Sequence, residues 1–66
     1  MDGEGRILEV LPGQLYRVQL GDGQVVLAHI AAKMRLTHVR ALPGDRVELE
    51  RSPYDRSRAR IVRKLA

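Results

Sequence analysis

Two groups of basic side chains have the types and spacing that bind polyanions. Lys33-Met34-Arg35, followed by Arg40, form the first. Arg56, Arg58, Arg60, Arg63 and Lys64 form the second, near the C-terminal end. Arginines outnumber lysines ten to two. A guanidinium grips phosphate through two parallel hydrogen bonds and stacks on bases, which an ammonium does not. The chemistry indicated is therefore recognition of phosphates and bases. His29 stands close in sequence to Lys33 and Arg35 and joins them as a candidate contact. Met34, between two cations, either plugs the core or packs on a base. Tyr54, in a Pro-Tyr-Asp turn, is the aromatic expected at the surface.

Residues for catalysis are sparse. With no cysteine, neither a disulfide framework nor a thiolate metal site is available. His29 and His38 are too few for most catalytic metal centres. Ser52, Ser57 and Thr37 lie in no nucleophile elbow or comparable local signature. Gly21-Asp22-Gly23 precedes a strand pattern rather than a helix, so it reads as a hairpin and not as a phosphate loop. Glu48 and Glu50 share one face of a strand, where cross-strand arginines are their expected partners. No catalytic set emerges from these residues, and the expectation is a binding protein rather than an enzyme.

The elements that must carry these residues have the period of strands. Leu15 to Leu20 alternates, with Tyr16, Val18 and Leu20 on one face and Arg17 and Gln19 on the other. Arg46 to Arg51 alternates, with Val47 and Leu49 inward. Val25 to Ile30 is a short β-branched apolar run, which predicts a strand buried on much of both faces. Arg6 to Leu11 and Arg58 to Lys64 are weaker strands at the two ends. Arg58 and Arg60 share a face at period 2. Pro12-Gly13, Gly21-Asp22-Gly23, Pro43-Gly44-Asp45 and Pro53-Tyr54-Asp55 supply the turns.

Ala31 to Leu42 connects the third and fourth strands. Ala31 to Leu36 holds good helix formers and no breaker, which predicts one or two helical turns. Met34, Val39 and Leu42 are expected to dock on the end of the sheet, with Lys33, Arg35 and Arg40 facing out. Five strands with a short helix between the third and fourth is the order of an oligonucleotide-binding (OB) barrel. A small SH3-like barrel is the next architecture, and it usually lacks such an insert.

At 66 residues the chain makes one domain, residues 1–66. It has no apolar run long enough to span a bilayer and no secretory signal at its start, so a cytoplasmic location is expected. The net charge of +4 is unevenly placed. Residues 1–32 carry two basic and four acidic side chains, a net −2. Residues 33–66 carry ten and four, a net +6. A basic half on a small domain fits a nucleic-acid partner. A solvated basic surface that only confers solubility would have the same composition. The shortage of aromatics, with two Tyr and no Phe or Trp, argues against coating single strands by base stacking. Tyr16, alternating with Val18, reads as core. Binding of a pre-shaped RNA through phosphates and arginines fits better.

Several stretches carry a family resemblance. They are Gly5 to Pro12, Tyr16 to Leu20, Ala28-His29-Ile30, Lys33-Met34-Arg35, Val39 to Val47, Pro53-Tyr54-Asp55 and Arg60-Ile61-Val62. In this order and spacing they resemble bacterial translation initiation factor 1, an S1-type OB-fold, over nearly the whole chain from Glu4 on. The resemblance implies a partner in the small (30S) ribosomal subunit. There the factor sits at the aminoacyl-tRNA site, in the decoding region between 16S rRNA and a ribosomal protein. It keeps elongator tRNA out and cooperates with initiation factors 2 and 3. It implies a monomer without enzymatic activity, cofactor or metal. Carried over by position, the rRNA-contacting candidates are His29, Lys33, Met34, Arg35, Arg40, Tyr54, Arg58, Arg60, Arg63 and Lys64. Ala59 occupies a position that the family usually fills with glycine. The competing readings are a cold-shock-like RNA chaperone or generic single-strand OB module, and a module whose basic face meets an acidic protein.

Overall fold

Alternation decides which side chains meet inside this protein. Ile7, Val18, Val26, Ala28, Val47, Leu49, Ala59 and Ile61 each have exposed or half-buried strand neighbours, and all eight are at most 3% exposed. Period-2 backbones send these residues to one face, and that face must close on itself to bury them. The computed structural model describes residues 3–30 and 41–65. It contains strands β1 (Gly3–Leu11), β2 (Leu15–Leu20), β3 (Val25–Ile30), β4 (Arg46–Arg51) and β5 (Arg58–Lys64). They form a closed barrel in the order β1-β2-β3-β5-β4. All neighbours are antiparallel except β3 and β5, which run parallel. This is the OB topology the sequence predicts.

The barrel closes through β1. Gly5 stands opposite Leu20 of β2 and also opposite Val47 of β4. The first strand therefore begins at Gly3 rather than at Arg6, because Gly3, Glu4 and Gly5 already pair with β4 ahead of Arg6. Further along, the register with β2 shifts between Ile7 and Glu9, leaving Leu8 as an extra residue. Such a bulge adds the local twist a small barrel needs.

Two other expectations change. Strand β3 is buried on one face only, with Val26, Ala28 and Ile30 inside. Its outward residues Val25, Leu27 and His29 stay wholly or partly exposed, since among the described residues no second layer covers that side of the barrel. In the β3–β4 connection, Leu42 is 55% exposed, and its neighbour Ala41 is the residue that is buried. The Asp45 carboxylate accepts a hydrogen bond from the Leu42 amide at 2.9 Å, which holds this residue at the turn rather than in the core. The predicted helix, with Met34 and Val39, lies outside the described residues.

The turns hold the strands in phase. Gly44 has φ +92°, a conformation natural to glycine, and its amide donates to the Ile7 carbonyl at 2.8 Å. The Ile7 amide in turn donates to the Asp45 carbonyl at 2.9 Å. The Pro43-Gly44-Asp45 turn is thus sewn to the middle of β1. Ala59, at the usual glycine position, is 3% exposed and lies in β5 at negative φ. Its methyl joins the core, so the substitution needs no change in turn shape.

Candidate nucleic-acid interface

The outward residues of β2, β3, β5 and β4 meet in register. Leu15 stands opposite His29, His29 beside Arg60, and Arg60 opposite Glu50. One step away, Arg17 stands opposite Leu27, and Leu27 beside Arg58. The two rows combine cationic, aromatic-nitrogen and aliphatic surface in one patch. A groove of about 340 Å³ opens along it, lined among others by Leu15, Leu27, His29, Glu50, Arg58 and Arg60. Its mixed lining suits a ligand with both flat apolar surface and negative charge, which is the make-up of a nucleotide.

Strand β5 presents three arginines on this side although their numbering breaks the alternation. Arg58 and Arg60 are two apart, as a strand face requires, but Arg63 is three further on. The register of β5 with β4 shifts so that Glu48 faces Arg63 and Leu49 faces Ile61. Val62 is the extra residue, and the bulge returns Arg63 to the face of Arg60. Lys64 falls on the next position, opposite Val47, and pairs with Asp45 at 3.4 Å at the rim. Neither Arg63 nor Lys64 lines the groove.

Each of these cations has a carboxylate beside it. Arg60 pairs with Glu50, Arg63 with Glu48 at 3.0 Å, and Arg58 with Asp55 at 3.6 Å. The expected cross-strand partners of Glu48 and Glu50 are therefore Arg63 and Arg60. Arg17, which the family resemblance did not single out, pairs with Glu9 at 3.4 Å and belongs to the same patch. Its signal in the sequence was the alternation of β2, which turns it outward next to β3.

The β4–β5 turn is built by short side chains. The Ser52 hydroxyl oxygen accepts from the amides of Tyr54 and Asp55, both at 3.2 Å. Asp55 accepts from the Ser57 hydroxyl at 2.6 Å and from the Ser57 amide at 3.0 Å. Those bonds, with Arg58 nearby, hold the Asp55 carboxyl below the usual carboxylate range. The Leu27 amide donates to the Ser57 carbonyl at 2.9 Å, which anchors the turn to β3. Arg51 ties it to the β2–β3 hairpin through Nη2, which donates to Gln24 Oε1 at 3.0 Å and to the Arg56 carbonyl at 2.9 Å. Tyr54 is 97% exposed at the tip, while Tyr16 is buried as the alternation predicts.

The structure thus brings His29, Arg58 and Arg60 together at the groove, sets Arg63 along the same face, and puts Tyr54 on the adjoining turn. Lys33, Met34, Arg35 and Arg40 lie outside the described residues. Among the described residues no group of His, Asp and Glu side chains is arranged to hold a metal ion, and no helix is long and apolar enough to cross a membrane.

A closed five-stranded barrel with an arginine-rich outer face defines an OB-type RNA-binding domain. Its relatives make the class specific. The chain matches the family of translation initiation factor 1A / IF-1 over residues 2–66, and it belongs to that family, whose work is in translation initiation. It is similar to the solution structure of translation initiation factor 1 from the Wolbachia endosymbiont strain TRS of Brugia malayi. The identity is 35% and the TM-score 0.80, with all of this chain and 78% of that one covered. The crystal structure of YjeQ from Thermotoga maritima matches with a TM-score of 0.82 at 21% identity, over 23% of that longer chain. This second likeness concerns the fold alone.

Proposed function

We propose that this protein binds the small (30S) ribosomal subunit at the aminoacyl-tRNA site, through 16S rRNA of the decoding region and a neighbouring ribosomal protein. It acts there as a monomeric plug in the cytoplasm, without catalysis. It keeps tRNA out until initiation is complete, in cooperation with initiation factors 2 and 3. The observation that carries this reading is the placement of Arg58, Arg60 and Arg63 on one barrel face beside His29, in a chain of the initiation factor family. Phosphates of a folded rRNA surface engage that face, joined by Lys33, Arg35 and Arg40 from the β3–β4 connection. Met34, Tyr54 and Lys64 extend the contact. Bulk then does the rest, because a barrel seated in the site leaves no room for a tRNA.

A single-strand module in the manner of a cold-shock protein is disfavoured by the aromatic inventory. Tyr16 is in the core, which leaves Tyr54 as the exposed tyrosine of a chain without Phe or Trp. Such modules need several platforms on which bases stack.

Co-sedimentation with purified small subunits over a range of salt tests the proposal. With about six phosphates neutralised, log K should fall against log salt with a slope of roughly −4 to −5. Protection of decoding-region bases in the same samples should accompany binding, and initiation factors 2 and 3 should strengthen it. A flat salt dependence, or protection elsewhere on the subunit, would sink the reading.

A further inference from the structure

The arginines that face RNA are not free in the unbound protein. Arg60 is held by Glu50 and Arg63 by Glu48, and the sheet itself sets both pairs, since each glutamate stands directly across β4–β5 from its arginine. The Val62 bulge is what brings the second pair into register. These side chains are 36–66% exposed, and ion pairs so open to solvent contribute little to folding. Their position matters more for what the arginines can do. A carboxylate offers a guanidinium the same pair of acceptor oxygens as a phosphate does.

We propose that Glu48 and Glu50 are specificity-determining residues, whose carboxylates occupy Arg63 and Arg60 until a ligand with several fixed phosphates displaces them. This rests on the RNA-binding role proposed above. A flexible strand gains little by exchange. Each of its phosphates replaces an ion pair already made, is repelled by the glutamate it frees, and must be immobilised besides. A folded rRNA surface has met that ordering cost in advance and displaces both carboxylates in one event. The glutamates therefore act against the wrong partner more than against the right one, which is how repulsive elements create selectivity. They keep a basic protein from being sequestered on unstructured RNA.

The test compares wild type, Glu48→Gln, Glu50→Gln and the double variant on two probes, a short oligouridylate and purified small subunits. Glu4→Gln is the control. It removes the same charge from a neighbouring position on β1, and Glu4 makes no ion pair among the described residues. The single variants should bind the oligonucleotide about two- to five-fold more tightly and the double variant about ten-fold. Affinity for subunits should rise too, but in the double variant by no more than about a third of that factor. The salt slope on the oligonucleotide should steepen by roughly 1 in the double variant as the two arginines become available to phosphates. Glu4→Gln should show no comparable change. Equal gains on both probes, or a gain from Glu4→Gln as large as that from Glu50→Gln, would overturn the proposal and reduce the effect to net charge. If wild type binds subunits and no variant shifts on the oligonucleotide, the selectivity role alone falls. If wild type fails to bind subunits, the functional reading falls with it.

Discussion

Gly5 packs against Val18 so closely that a Cβ at residue 5 would overlap the Val18 Cγ1 methyl. The same Cβ would stand 3.0 Å from the Gln19 carbonyl oxygen and 3.1 Å from Leu49 Cδ1. This is where β1 is shared between β2 and β4, so this tight contact falls at the barrel's point of closure. Neither the Gln19 backbone nor the Val18 side chain, which is fully buried, has room to withdraw. Gly5→Ala is therefore expected to destabilise the protein by about 1–3 kcal/mol, in the range of overpacked cores. For a domain of this size, whose net stability is about 3–5 kcal/mol, that is a large share. Thermal unfolding of Gly5→Ala beside Gly3→Ala measures it. Gly3 has open space around it, and its variant should unfold close to wild type.

Acid should loosen the protein through two particular carboxylates. Asp45 accepts the Leu42 amide hydrogen bond and lies beside Lys64, and these interactions hold its pKa below the ordinary value of 3.8. Asp55 is lowered by the hydroxyl and amide of Ser57 and by Arg58. A group whose folded pKa is depressed adds stability that is fully present above its unfolded pKa. That contribution is lost as pH falls through the unfolded value toward the folded one. The unfolding midpoint should thus be level from neutrality down to about pH 5 and then decline. Asp45→Asn retains an acceptor oxygen for the Leu42 amide but cannot titrate, so its midpoint should decline less steeply over the acid range. Parallel acid profiles for the two proteins would mean that Asp45 contributes nothing to the pH dependence.

How far the sequence foretold this arrangement depended on the range of the signal. Strands β2, β3, β4 and β5 have the predicted bounds, because alternation and turn residues are local and each was complete within the segment. The start of β1 was hidden, since Gly3-Glu4-Gly5 has no strand-like pattern and is held extended by pairing with β4. Conformational permissiveness read locally as a loop, whereas the tertiary requirement was for the absence of a side chain. The expectation that β3 is covered on both faces failed for a related reason. Val25 and Leu27 are apolar whether or not a layer packs on them, and among the described residues no layer lies over that face. At the site, Arg58 and Arg60 were legible as a period-2 pair. Arg63 was not legible as their neighbour, because the Val62 bulge that aligns it is a property of β4 and β5 together. Arg17 was seen to point outward, but its place in the patch depended on which strand lay beside it.

Arg51 is expected to matter for the shape of the interface rather than for contact with RNA. Its Nη2 joins Gln24 of the β2–β3 hairpin to the Arg56 carbonyl of the β4–β5 turn, across a gap that no backbone hydrogen bond spans among the described residues. Arg51→Ala removes both bonds. The cost to stability should be about 1–2 kcal/mol, as for hydrogen bonds from a charged donor at a partly exposed site. Amide hydrogen exchange should quicken at Tyr54, Asp55 and Ser57 while the core amides of Val18 and Leu49 change only with global stability. Gln24→Ala should reproduce about half of the effect. If exchange in the turn is unaltered in Arg51→Ala, the clamp is not what orders it.

Arg17 and Arg60 test whether the patch works as one surface. Both lie on the outer face within one strand spacing of β3, Arg17 beside Leu27 and Arg60 beside His29. Each is exposed and ion-paired to a glutamate, so Arg17→Ala and Arg60→Ala should leave the unfolding midpoint nearly unchanged, within about 0.5 kcal/mol. Binding to small subunits should weaken in both, with the salt slope reduced by roughly 0.7–0.9 for each phosphate no longer neutralised. Arg60→Ala should weaken it more, because it leaves the Glu50 carboxylate facing a phosphate without a cation between them. Restoring neutrality with Glu50→Gln should recover part of that affinity, a non-additivity expected for residues in direct contact. Arg17→Ala combined with Glu50→Gln should instead behave additively, since the two side chains share no ion pair. A slope unchanged in Arg17→Ala would confine the interface to β5 and the β3–β4 connection, and would leave Arg17 a solvated partner of Glu9.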